Sequence, residues 1–175
     1  MANGDYAAPL PRVWAVARRE MSRLNEAALI CINVGSELGQ KDWDCMYRAT
    51  THKIQVTVKP RFMSERSSPE RGHFFWAYTI EIANNGKETV QLKTRYWHIT
   101  DAMGRIQEVR GAGVVGEEPV LAPGETFEYT SGVPLPTPSG FMAGKYGMVT
   151  DKGENFEIEV PAFSLDSAES GRTIN

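Results

Sequence analysis

The sequence predicts an all-β sandwich of about seven short strands, preceded by a short N-terminal extension that is helical or disordered. Three observations carry this expectation. Between Thr50 and Leu165 apolar and polar residues alternate with a period of two, in runs of single-strand length. Turns rich in Pro, Gly and Asn separate the runs. No stretch among them repeats its apolar residues at helical spacing, so no helices interleave with the strands.

Composition bounds the rest. A chain of 175 residues with 41% hydrophobic and 23% charged residues suits one globular domain. Its net charge of −3 and pI near 5.7 give no electrostatic reason to expect nucleic acid or an anionic membrane as a partner. No window approaches the ~18 uninterrupted apolar residues of a membrane span. The two cysteines, Cys31 and Cys45, lie near the start, so disulfides do not staple the domain and a reducing, cytoplasmic compartment is expected. Asp5 and Arg18-Arg19-Glu20 break the early apolar run, which speaks against a cleaved signal peptide.

In order, residues 1–45 form the extension. Val13, Ala17, Met21, Leu24 and Ala28 follow Pro11 at helical spacing, and Gly35 and Gly39 end the pattern. Residues 39–45 look like neither a linker nor a strand. The domain spans 46–165. Its first alternating run begins at Thr50, with Ile54, Val56 and Val58 against His52, Gln55, Thr57 and Lys59. A polar loop at 61–72 leads to a long strand at 73–83, with Phe74, Trp76, Tyr78, Ile80 and Ile82 on one face and Phe75 on the other. Asn84-Asn85-Gly86 is a strong hairpin signal, predicted to pair this strand with residues 90–100. There Val90, Leu92 and Tyr96 are assigned one face and Trp97 and Ile99 the opposite one. After a turn at 101–104, strands are expected at 105–110, 126–131, 140–149 and 155–165. Residues 166–175 read as a disordered tail.

Gly111-Ala112-Gly113-Val114-Val115-Gly116 matches the dinucleotide-binding pattern G-x-G-x-x-G. The helix that pattern requires is missing, because Glu117-Glu118-Pro119 and Pro123-Gly124 follow. A Rossmann site is therefore rejected. A glycine turn can still present backbone N–H groups to an anion, with Arg95, Arg105 and Arg110 adding charge if pairing gathers them. The competing reading is a tight corner whose glycines supply positive φ. His52, His73 and His98 sit on separate segments without ligand spacing, so no metal and no cofactor are expected. His98 and Asp101 read as a hydrogen-bonded hairpin end. No nucleophile elbow is present, and no catalytic residue is assigned. Among the aromatics, an outward Phe75 or Trp97 beside Arg95 would suit a partner surface or self-association; the alternative is a small cluster under a loop.

Ordered segments along the domain carry a resemblance. They include Tyr47-Arg48-Ala49-Thr50-Thr51, Phe75-Trp76-Ala77-Tyr78, Leu92-Lys93-Thr94-Arg95-Tyr96-Trp97-His98-Ile99-Thr100-Asp101, Val109-Arg110-Gly111, Val114-Val115-Gly116-Glu117, Pro138-Ser139-Gly140, Tyr146-Gly147-Met148 and Pro161-Ala162-Phe163-Ser164-Leu165. Together they resemble the ApaG family of small bacterial proteins. The resemblance implies a fibronectin type III-like sandwich over residues 46–165. Family members typically begin near Met46-Tyr47-Arg48, so residues 1–45 depart from the pattern. A lineage-specific extension and a native start at Met46 are the two competing explanations.

The resemblance implies function only coarsely. The family is associated with magnesium and cobalt efflux phenotypes, an indirect link given the residues here. Related eukaryotic domains, in an F-box protein and a polymerase-interacting protein, work through protein contacts. The expected role is a non-enzymatic binding module for a protein partner, a second copy or a small anion. Recognition is expected on residues 110–118, with Arg110, Gly111, Gly113 and Gly116, and on the strand end 97–101, with Trp97, His98 and Asp101. The alternative is a nucleotide- or pyrophosphate-binding loop at Gly111–Gly116, extended to phosphohydrolase activity, since the family name travels with that of a diadenosine tetraphosphate hydrolase.

Overall fold

Alternation in the sequence becomes two antiparallel sheets packed face to face. The computed structural model describes residues 28–32 and 44–167. The strands are β1 (Ala28–Ile32), β2 (Asp44–Thr51), β3 (Ile54–Phe62), β4 (Phe74–Asn84), β5 (Val90–Asp101), β6 (Ile106–Ala112), β7 (Val120–Leu121), β8 (Thr126–Leu135), β9 (Ser139–Thr150) and β10 (Asn155–Asp166). One sheet has the order β1-β2-β3-β4-β8 and the other β10-β9-β5-β6, with the short β7 pairing beside β5. The all-β sandwich expected from the sequence is the fold observed.

The core lies between the sheets. In β4, Phe74, Trp76, Tyr78, Ile80 and Ile82 are buried, and their neighbours in sequence are not. Facing them from the second sheet are Leu92, Trp97, Met142, Tyr146, Met148, Ile158 and Phe163. Trp97 sits edge-on against Tyr146, Phe163 and Tyr78. Aromatic area of this kind is the largest single apolar contribution to a small sandwich. On one side β10 crosses toward β2 and β3, where Ser164 Oγ lies 2.7 Å from the Tyr47 hydroxyl. The register of β10 on β9 shifts between Val160 and Phe163, where Pro161 has no N–H to give a ladder.

Four expectations are corrected. The helical pattern ending at Ala28 lies mostly outside the described residues, but Ala28 itself opens β1, and Asp44 and Cys45 from segment 39–45 belong to β2. The first alternating run is in fact a hairpin: His52 and Lys53, at φ 49° and 64°, turn β2 into β3. Asn84-Asn85-Gly86 does not close a hairpin. β4 pairs with β3 and β8 and β5 with β9, β6 and β7, so this turn carries the chain from one sheet to the other. The buried Asn84 fixes that corner by donating its side-chain amide to Glu88 O and Leu121 O while accepting from Gly86 N. Finally, a one-residue register shift at Lys93 exchanges the faces of β5. Val90 and Leu92 point inward before it, and Trp97 and Ile99 after it, so Tyr96 faces out and Trp97, 3% exposed, faces in.

Candidate functional site

β6 is the outermost strand of the second sheet, and both segments singled out in the sequence lie at its ends. At its start, the turn from β5 is organised by Asp101. Its carboxylate accepts from Met103 N (2.9 Å), Arg105 N (3.0 Å) and Arg105 Nε (2.6 Å). Burial pushes this carboxyl up, but the bonds from Arg105 and Met103 outweigh it and hold the group below its ordinary range. Thr137 Oγ1 accepts from Ala102 N and donates to Ser139 O, tying the turn to the start of β9. His98 takes no part in these bonds, so the expected His98–Asp101 pair is replaced by Asp101–Arg105. Arg105 is thereby held at the opposite end of β6 from the glycine loop.

Arg95 does reach the loop. Following the shift at Lys93, it points inward in one row with Gly111 and Tyr146. Its guanidinium donates to Ala112 O (2.7 Å) and Gly113 O (2.8 Å). A Cβ on Gly111 would lie 3.0 Å from the guanidinium carbon, so this glycine leaves room for Arg95 rather than supplying positive φ. Gly113 and Gly116 do supply it, at φ 54° and 83°. Beyond them Val114 and Glu117 exchange backbone bonds of 2.8 Å each, closing a tight hairpin with Val115 and Gly116 at its tip. Val115 sits at φ 47°, a strained position for a β-branched residue.

The loop is poorly arranged for an anion. The N–H groups of Gly113, Val114 and Glu117 donate to carbonyls within the fold. Lys93 pairs with Glu118 at 2.5 Å. Arg110 lies over the Tyr96 ring, 4.4 Å from its centroid, and 3.6 Å from Glu108. The Tyr96 hydroxyl donates to Glu108 (2.9 Å), which raises its pKa above the ordinary tyrosine value. Arg95, Arg105 and Arg110 thus have separate partners and do not converge. Among the described residues, no three His, Cys, Asp or Glu side chains come together to hold a metal ion. No helix among them is long and apolar enough to cross a membrane.

The two aromatic candidates also part. Trp97 is core, whereas Phe75 lies half-buried on the outer face of the first sheet. There Arg66 covers its ring at 3.8 Å, and the segment from Met63 to Gly72 folds over it, with Ser67 Oγ accepting from Phe75 N. Phe75 is the loop-covered case.

Comparison with known proteins places this geometry. The family model described as the ApaG domain matches residues 64–150. Protein ApaG of Rhodopseudomonas palustris is 68% identical over 130 residues, 74% of this chain and 100% of that protein. The chain belongs to the ApaG family. Protein ApaG of Bradyrhizobium diazoefficiens is 65% identical with the same coverage. A crystal structure of an ApaA protein from Bordetella pertussis superimposes with a TM-score of 0.65 at 48% identity, covering 71% of this chain and 98% of that one.

In this ApaG domain the sequence reading missed the apolar surface. Among the described residues, the large hydrophobic side chains that remain exposed are Met103 (73%), Ile106 (62%), Val115 (53%) and Val120 (58%). Met103 precedes β6, Ile106 opens it, Val115 lies at the tip of the hairpin that follows, and Val120 belongs to β7, which pairs with β5 beyond β6. Alternation does not mark them as one edge, because only the pairing order sets β6 and β7 along the same strand.

Proposed function

We propose that this ApaG domain is a non-enzymatic binding module that contacts a protein partner along β6 and its two flanking turns. One observation supports the reading most: the four exposed large apolar side chains of the described residues all fall between Met103 and Val120, beside a strand whose outer edge no described strand pairs. Scattered exposed hydrophobics are ordinary, but a group on one edge characterises a contact surface. Val115 adds to this, since a β-branched residue held exposed at positive φ costs about 1 kcal/mol or more in folding. The reading assigns no direct role in magnesium or cobalt handling.

The test is site-specific photo-cross-linking in the native host, with the reactive group at Ile106 and, as control, at the exposed Lys59 of the first sheet. A discrete adduct from residue 106 alone is expected. No adduct there, or an equal one from residue 59, overturns the reading. Amide NMR titration with ATP, GTP and pyrophosphate, with and without magnesium, addresses the nucleotide alternative. Saturable shifts at Gly111–Gly116, lost in Arg110→Ala, would replace the protein-contact reading with that one.

A further inference from the structure

We infer that the partner of the β6 edge is a second copy of this chain, joined strand to strand about a two-fold axis at Val109; this rests on the protein-contact reading. The backbone gives the first support. Asp101 N donates to Arg105 O (3.1 Å) and Gly113 N to Lys93 O (2.9 Å), at the two ends of the β5–β6 ladder. In an antiparallel ladder alternate residues point their N–H and C=O the same way. Odd-numbered residues of β6 therefore bond toward β5. Ile106, Glu108, Arg110 and Ala112 turn theirs outward, and no strand among the described residues takes them up; only the Ala112 carbonyl has a partner, the Arg95 guanidinium, which occupies one of its two lone pairs.

The side chains select the occupant. With the axis at Val109, all four outward residues find partners: Ile106 opposite Ala112 of the second copy, and Glu108 opposite its Arg110. Each pair occurs twice by symmetry. Sliding the pairing by two residues sets Glu108 against Glu108 or Arg110 against Arg110, and like charges directly opposite are destabilising. Of these three registers only the one centred on Val109 sets opposite charges against each other, and it also pairs all four outward residues. The same axis carries the exposed Met103 and Val115 of opposite copies toward the same ends of the seam. The two sheets join into one, in the order β10-β9-β5-β6 and then the reverse. An isologous contact of this kind closes on itself and does not propagate. A single short strand buries less than a standard interface, so the dimer is weak, with a Kd on the order of 10–100 µM.

Sedimentation of the full chain from about 10 µM to about 1 mM should show a reversible monomer–dimer equilibrium in that range. Glu108→Arg and Arg110→Glu should each weaken it about tenfold, by setting like charges opposite. The double variant Glu108→Arg/Arg110→Glu restores the opposition and should restore dimerisation. Amide exchange at high concentration should slow at Ile106, Glu108, Arg110 and Ala112. A chain that stays monomeric at about 1 mM overturns the inference, as does a dimer indifferent to both single charge reversals. Failure here is distinguishable from failure of the protein-contact reading. A cross-link at residue 106 joining two identical chains supports both, and one to a different protein retains that reading alone.

Discussion

Removing either member of the Tyr129–Tyr146 pair should cost more than removing both. Tyr129 belongs to β8 in one sheet and Tyr146 to β9 in the other, and their hydroxyls lie 2.5 Å apart in the core. Tyr146 is fully buried and Tyr129 is 7% exposed, so a hydroxyl that loses its partner has poor access to water. Each single Phe substitution removes one hydrogen bond and strands the other hydroxyl, together about 1–3 kcal/mol. Replacing both removes both polar groups while leaving the ring packing unchanged, and should cost no more than the milder single change. The expected coupling is therefore at least the larger single cost, about 1–3 kcal/mol, measured by urea denaturation of the wild type, both singles and the double, followed by tryptophan fluorescence. Strict additivity of the two singles would refute the reasoning, because it would mean that neither hydroxyl depends on the other.

Other outcomes follow from the same structure. Burial raises the pKa of Tyr78, Tyr129 and Tyr146 above the ordinary tyrosine value, with Arg95 offsetting a little. Their contribution to stability is complete below about pH 10, where unfolded tyrosine ionises, and is lost as pH rises toward their higher folded values. Urea midpoints should fall between pH 9.5 and 11.5, and a flat profile would contradict this. Gly144→Ala places a Cβ 2.5 Å from Tyr96 O and 2.6 Å from the Trp97 ring, and should destabilise by about 1–3 kcal/mol in thermal unfolding. Val115→Asn keeps the turn with a residue tolerant of positive φ, and should stabilise by about 0.5–1 kcal/mol; destabilisation would show that the valine side chain packs usefully within the monomer. Asp101→Ala frees two backbone N–H groups and Arg105 Nε, and should cost about 1–3 kcal/mol at pH 7 in urea unfolding.

The strands of this domain were legible because local alternation in β4, β9 and β10 is dictated by a single buried face. Pairing was not. Asn84-Asn85-Gly86 carries the chemistry of a turn, but whether a turn joins neighbours or crosses between sheets depends on contacts such as Asn84 with Leu121, 37 positions away. The faces of Tyr96 and Trp97 were reversed because the shift at Lys93 has no composition signal. An anion cradle and a tight corner both fit the glycine loop in the sequence, and the purpose of Gly111 emerges only from Arg95 in the adjacent strand. Of the proposed contact surface, the stretch 110–118 stands out in the sequence, whereas Ile106 and Met103 do not, because no local pattern marks an edge strand.

The irregularity at Lys93 also bears on how this surface changes over time. Lys93 is the extra residue of a bulge, since Leu92 pairs with Met148 and Thr94 with the very next residue, Gly147. Deleting it would restore regular alternation and leave Arg95, Trp97 and Ile99 facing inward. The strand therefore holds one residue of slack in chain length. A lineage could lose a residue at this point without turning over the sheet, whereas the same loss in a strand without a bulge would send its buried face to water.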